Sequence, residues 1–136
     1  MPDQTPSILP PSPWHPSAAR AATILSWSLA LVLFYFGLNE IISPQNWIAF
    51  APAFVGTGTL AVILVTLHGI VLAAVGVMLV LNYYRRIASA VLVLLFIEIT
   101  ANLILQGGIS DIAIRDFGLL GAAAALFCMP PREKTN

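Results

Sequence analysis

The chain has little charge. Only 9% of its 136 residues are Asp, Glu, Lys or Arg, against about 25% in an average soluble domain. Six positives balance six negatives, so the formal net charge is zero. That argues against nucleic acid as a partner, because phosphate backbones are held by clustered Lys and Arg. Cysteine is nearly absent. The single Cys128 excludes an internal disulfide, a CxxC redox pair and a thiolate-held zinc site, and no metal is expected. Apolar side chains fill the space that charge leaves: 59% of residues are hydrophobic and the mean hydropathy is +0.91. A soluble domain of this size exposes too much surface to hide that much apolar material. The solvent for most of this chain is therefore lipid.

Six of the ten prolines fall in residues 1–19, MPDQTPSILPPSPWHPSAA. Proline at this density blocks helix and strand, so the segment reads as a disordered tail. Four apolar stretches follow, at about 23–42, 59–81, 87–105 and 112–129. Each is close to the ~20 residues a helix needs to cross ~30 Å of hydrocarbon. The runs are continuous rather than alternating, which excludes the strands of a barrel. The fold class expected is all-α, an integral membrane four-helix bundle over 20–130, with a short tail at 131–136. The first stretch is too long for a signal peptide and lacks a small-residue cleavage site after it, so it reads as an uncleaved span.

The connectors agree with this layout. Residues 82–86, NYYRR, form a tight polar link, and Gln106-Gly107-Gly108 a tight turn. The segment SPQNWIAFAPAFVGTG (43–58) is longer and still apolar. Its Trp47, Phe50 and Phe54 fall on one helical face, interrupted by Pro52, so it should lie on or dip into the membrane surface. Arg20, Arg85, Arg86, Arg132 and Lys134 all flank one side of a four-span chain. Positive residues stay in the cytoplasm, which places both termini there.

The strongly polar residues in or beside the spans are Asn39, Glu40, His68, Glu98, Asn102, Asp111, Arg115 and Asp116. With odd spans running outward and even spans inward, all of them fall in the outer half of the bilayer or at its edge. Random tolerance of polar residues would not sort them by depth. An intramembrane carboxylate is costly unless paired, and such groups usually face the bundle interior. Glu98 and Asn102, four apart, share a helix face. Arg115 is the only cation at this depth, and its planar fork can take two carboxylates. Asp116 points about 100° away on the same helix. Arg115 is therefore expected to bridge to Glu98, Glu40 or both. The candidate ligand or proton-relay set is Glu40, His68, Glu98, Asn102, Arg115 and Asp116.

Each residue also has a structural reading. The Arg115–carboxylate pair can lock helix register. Glu40 can be a hydrated interfacial residue. His68 can be a neutral helix–helix hydrogen-bonder. Asp111 is expected to cap the fourth helix, Asp116 to suit its positive end, and Cys128 to pack at the cytoplasmic edge. Small residues at helical spacing supply packing faces: Ala22, Ser26 and Ala30 on the first span, Gly69, Ala73 and Gly76 on the second, and Gly118/Ala122 and Gly121/Ala125 on the fourth.

Three stretches resemble the DoxX-like family of small four-span bacterial membrane proteins. FYFGLNEIISPQNW (34–47) is similar to the family's first-span ending, and HGIVLAAVGVMLVL (68–81) to its second span. IAIRDFGLLGAAAAL (112–126), with its Arg-Asp pair before Gly-Leu-Leu-Gly, is similar to the family's most recognisable stretch. Gly37, His68, Gly69, Arg115, Asp116 and Gly118 match family positions. The resemblance implies a bacterial inner-membrane protein, linked in some members to thiosulfate:quinone oxidoreductase and in others to oxidative stress. Where many members place a Lys near position 40, this chain has Glu40, which argues against an anionic substrate.

Three functions follow. The first is a quinone-linked redox subunit: imidazole and carboxyl groups can relay protons, and the quinone is the cofactor expected. None is intrinsic, since a bis-His haem would need a second intramembrane histidine and His15 lies in the tail. Electrons would come from a redox partner protein. The second is a binding or carrier bundle for a lipid-like or polar solute, which would need a homo-oligomer for alternating access. The third is a non-catalytic accessory subunit.

Overall fold

A computed structural model describes residues 18–129. The proline-rich tail and the segment 131–136 lie outside the described residues, except that Ala18 and Ala19 already belong to the first helix. Four helices make up the fold: α1 (Ala18–Ile42), α2 (Thr59–Val80), α3 (Arg85–Gly107) and α4 (Asp111–Cys128). The described residues contain no strand. The architecture is the all-α four-helix bundle that the four apolar runs announce, with ends shifted by at most five residues.

Two antiparallel hairpins build it: α1 packs chiefly on α2, and α3 on α4. The α1–α2 crossing is closest at two glycines. A Cβ on Gly37 would meet the Gly69 carbonyl oxygen at 2.7 Å, and one on Gly69 would meet the Gly37 oxygen at the same distance. Neither helix can carry a side chain there without moving apart. Gly76, two turns along, lies under the Phe34 ring, and the opposite order of the two pairings makes the hairpin antiparallel. Ala22, Ser26 and Ala30 are buried as their spacing predicts, and the Ser26 hydroxyl is satisfied by donating to the Ala22 carbonyl at 2.8 Å.

The small residues of α4 behave otherwise. Gly118 and Gly121 are exposed, and nothing lies within 4 Å of a Cβ built on either. A period of four assigns residues to one helix face. It does not say which way the face looks when every face is apolar. Asp111 does not cap α4 either. Ser110 does, accepting from the Ala113 N–H at 3.2 Å, while Asp111 stands in the first turn, where its charge suits the helix dipole.

Leu29, Leu33, Leu72, Leu79, Leu92, Phe96 and Leu126 form the core. The outside is as apolar as the inside: Leu31 is 72% exposed, Leu94 67% and Leu105 86%. Large aliphatic side chains facing outward along whole helices are expected where the surroundings are lipid. α1, α2 and α3 are long and apolar enough to cross a membrane. α4 has 18 residues and carries Asp111, Arg115 and Asp116 in its first six, which sets it apart from the other three.

Candidate functional site

The end of the bundle where α1 and α3 finish and α2 and α4 begin contains a cavity of about 400 Å³. Its walls are largely aliphatic and aromatic. Glu40 from α1, His68 from α2, Glu98 and Asn102 from α3, and Arg115 and Asp116 from α4 all line it. Helix alternation thus brings together six residues spread over 77 positions of sequence, 40 to 116. The volume lies in the range of small-molecule sites, as does the ratio of many apolar walls to few polar groups.

The six are not equally enclosed. Glu40 and Asp116 are buried, His68 and Asn102 half-buried, and Glu98 and Arg115 exposed at the cavity's open side. Glu40 is not a hydrated interfacial residue. It is 7% exposed, and its Oε2 lies 2.7 Å from Nδ1 of His68. The Gly37–Gly69 approach explains this pair, since it brings Glu40 on one helix against Gly69 and its neighbour His68 on the other. Nδ1–H donating to Glu40 leaves Nε2 as the free ring nitrogen. That Nε2 is buried and has no hydrogen-bond partner among the described residues. A buried polar atom left unpaired costs about 1–3 kcal/mol, so its presence on a cavity wall points to a ligand or water that satisfies it.

The expected bridge from Arg115 to Glu98 or Glu40 does not form. Arg115 turns back on its neighbour: Nε donates to Oδ1 of Asp116 at 2.8 Å, and Nη2 lies 2.8 Å from the same oxygen. The 100° between successive positions fixes the Cβ directions. A side chain with four rotatable bonds can bend across that angle, and Glu40 is already engaged by His68. The guanidinium also sits 4.8 Å above the Phe36 ring, a cation–π contact between α4 and α1. Sequence reasoning had not linked Phe36 to the site; its place one turn before Glu40 was the available signal.

The connector 43–58 forms the roof. It folds not as one helix but as three short 3₁₀ turns, Pro44–Asn46, Ile48–Phe50 and Ala53–Val55; Trp47 joins the first two, its N–H donating to the Pro44 carbonyl and its own carbonyl accepting from Phe50, and Pro52, which has no N–H, separates the third. Trp47, Phe50 and Phe54 nevertheless all line the cavity, and Trp47 meets Phe36 edge-on at 5.5 Å between centroids. Two α3 side chains hold the roof down. Asn102 Nδ2 donates to the Phe50 carbonyl at 2.7 Å, and Gln106 Nε2 donates to the Ala51 carbonyl at 2.9 Å and to Asn102 Oδ1 at 2.9 Å. Asn102 is therefore engaged in holding the roof rather than free for a ligand, and Gln106 joins the site unforeseen.

Thr100 is a second surprise. It is 6% exposed and its Oγ1 has no partner among the described residues. Asn39 turns away and donates to the Tyr35 carbonyl of its own helix at 2.7 Å. Cys128 is exposed at the far end rather than packed. That far end also carries Arg20, Arg85 and Arg86, the last of them 5.4 Å over the Phe127 ring.

Compared with known proteins, the chain matches no family model, no curated protein and no solved structure.

Proposed function

We propose that this chain is a DoxX-like integral protein of the bacterial inner membrane that binds a quinone in the cavity and serves a redox partner protein. The observation that carries the reading is the Glu40–His68 pair with its unpartnered, buried Nε2. A ligand oxygen satisfies that nitrogen in either state: a carbonyl accepts from a protonated imidazole, and a hydroxyl donates to a neutral one. Glu40 holds the imidazole by Nδ1, as a base-orienting carboxylate does. The apolar, partly aromatic walls suit a ring with a hydrophobic tail that enters from the lipid.

When bound, a quinone supplies the two-electron chemistry, taking up two electrons from the partner and two protons. The chain's residues hold the ring at one oxygen, pass a proton through His68 and exclude bulk water beneath the roof. The Arg20, Arg85 and Arg86 end faces the cytoplasm on this reading, because positive residues are retained there. α4 then crosses as a fourth span with both termini inside, and its Arg115 and Asp116 are sheltered by the cavity rather than set in lipid.

Mass spectrometry of organic extracts from detergent-purified protein tests this. Wild type should retain quinone and His68→Ala should lose it at equal folded fraction. Quinone retained equally by both, or by neither, overturns the reading. A different lipid or solute retained through His68 would instead make the bundle a carrier or binding protein.

A further inference from the structure

The cavity's charges do not balance. Three carboxylates line it, Glu40, Glu98 and Asp116, against one guanidinium and one imidazole. Asp116 is taken by Arg115 and Glu40 by His68. Glu98 has no hydrogen-bond or ion-pair partner among the described residues. An unpaired carboxylate within a span long and apolar enough for a membrane is unfavourable, and its usual resolution is a proton or a cation.

The surroundings say which kind of cation. Glu98, Asn102 and Gln106 fall at successive i, i+4 positions of α3, so they share one face. The latter two grip the roof at Phe50 and Ala51, which puts Glu98 one turn beneath that point on the same face. Trp47 and Phe50, with ring centroids 5.7 Å apart, line the same cavity. A small, strongly hydrated metal ion needs several oxygen ligands, whereas one carboxylate beside aromatic rings in an apolar cavity suits a large, weakly hydrated organic cation. Exposure of Glu98 on the open side gives such a molecule a way in from the lipid.

We propose that the cavity binds amphiphilic organic cations, with Glu98 as counter-ion beneath the Trp47–Phe50 roof. This goes beyond the quinone reading and uses a different residue from it.

Equilibrium dialysis of radiolabelled methyltriphenylphosphonium against the full chain in uncharged detergent tests it. Saturable binding is expected that unlabelled cation displaces and the uncharged, isosteric triphenylethane does not. Glu98→Gln should weaken binding roughly tenfold or more, the scale of one lost charge-assisted contact, with Glu98→Asp retaining part of it. Displacement by the neutral hydrocarbon as effective as by the cation overturns the proposal, as does a folded Glu98→Gln that binds like wild type. If Glu98→Gln fails to fold, the cation–hydrocarbon comparison on wild type still decides. Cation binding and quinone retention are read separately on the wild-type chain, so either proposal can fail without the other.

Discussion

Arg115 and Asp116 show how an adjacent pair becomes a structural unit. Asp116 has 5% of its side chain exposed and Arg115 47%. The aspartate is the buried partner, and it depends on the arginine for its charge to be tolerated. Removing Arg115 leaves a buried carboxylate without a cation, while removing both charges leaves nothing to compensate. Arg115→Met should therefore lower stability by about 1–3 kcal/mol, the range for an abandoned buried polar group, and Arg115→Met with Asp116→Leu should recover much of the loss. Thermal melts in detergent would read the difference. A double variant at least as unstable as the single one would show that the pair is not what the aspartate needs. The bridge expected from the sequence failed at this scale for a related reason: helix geometry fixes where Cβ points, not where a long side chain ends. The Glu40–His68 bond was hidden likewise, because nothing local tells residue 40 that residue 68 is its neighbour.

At the scale of elements, glycines divide into those that set a crossing and those that do not. Gly37 and Gly69 hold α1 and α2 at backbone contact, with 2.7 Å from either built Cβ to the other's oxygen. Gly118 meets nothing within 4 Å. Gly37→Ala should destabilise by about 1–3 kcal/mol, the usual cost of overpacking, and should disturb the Glu40–His68 pair because that pair sits at the crossing. Gly118→Ala should be neutral or mildly stabilising, since alanine is the better helix former. Melting both variants side by side checks the contrast, and equal losses would place Gly118 in an interface. The four helices were legible because each is an apolar run near spanning length bounded by Pro, Gly or Arg. The connector was not. Its aromatic spacing read as one helical face, whereas Pro52 and the tethers from Asn102 and Gln106 fold it into separate turns. Asn102→Ala with Gln106→Ala should release that roof, seen as faster amide hydrogen exchange over 48–55 with α1 and α2 unaffected.

For the whole molecule, sorting by depth was the most legible feature. Alternating helices carry every polar residue of the cavity to one end and Arg20, Arg85 and Arg86 to the other. An apolar bundle with this polarity has a charge-defined axis, and the positive end should be held in the cytoplasm. α4 is where the argument can break. Its 18 residues span about 27 Å at 1.5 Å each, just enough for a crossing only if Asp111, Arg115 and Asp116 are sheltered. The cavity offers that shelter to Arg115 and Asp116, and Asp111 lies in the first turn at the edge. Cysteines introduced singly in a Cys128→Ser background, by Gln45→Cys, Asn82→Cys and Lys134→Cys, would report sidedness to a membrane-impermeant maleimide. Intact cells should label position 45 alone, and inverted vesicles positions 82 and 134. Labelling of 134 together with 45 would mean that α4 does not cross. Its charged turn would then lie at the surface by default, and the polar residues would share a depth without sharing a membrane-embedded site.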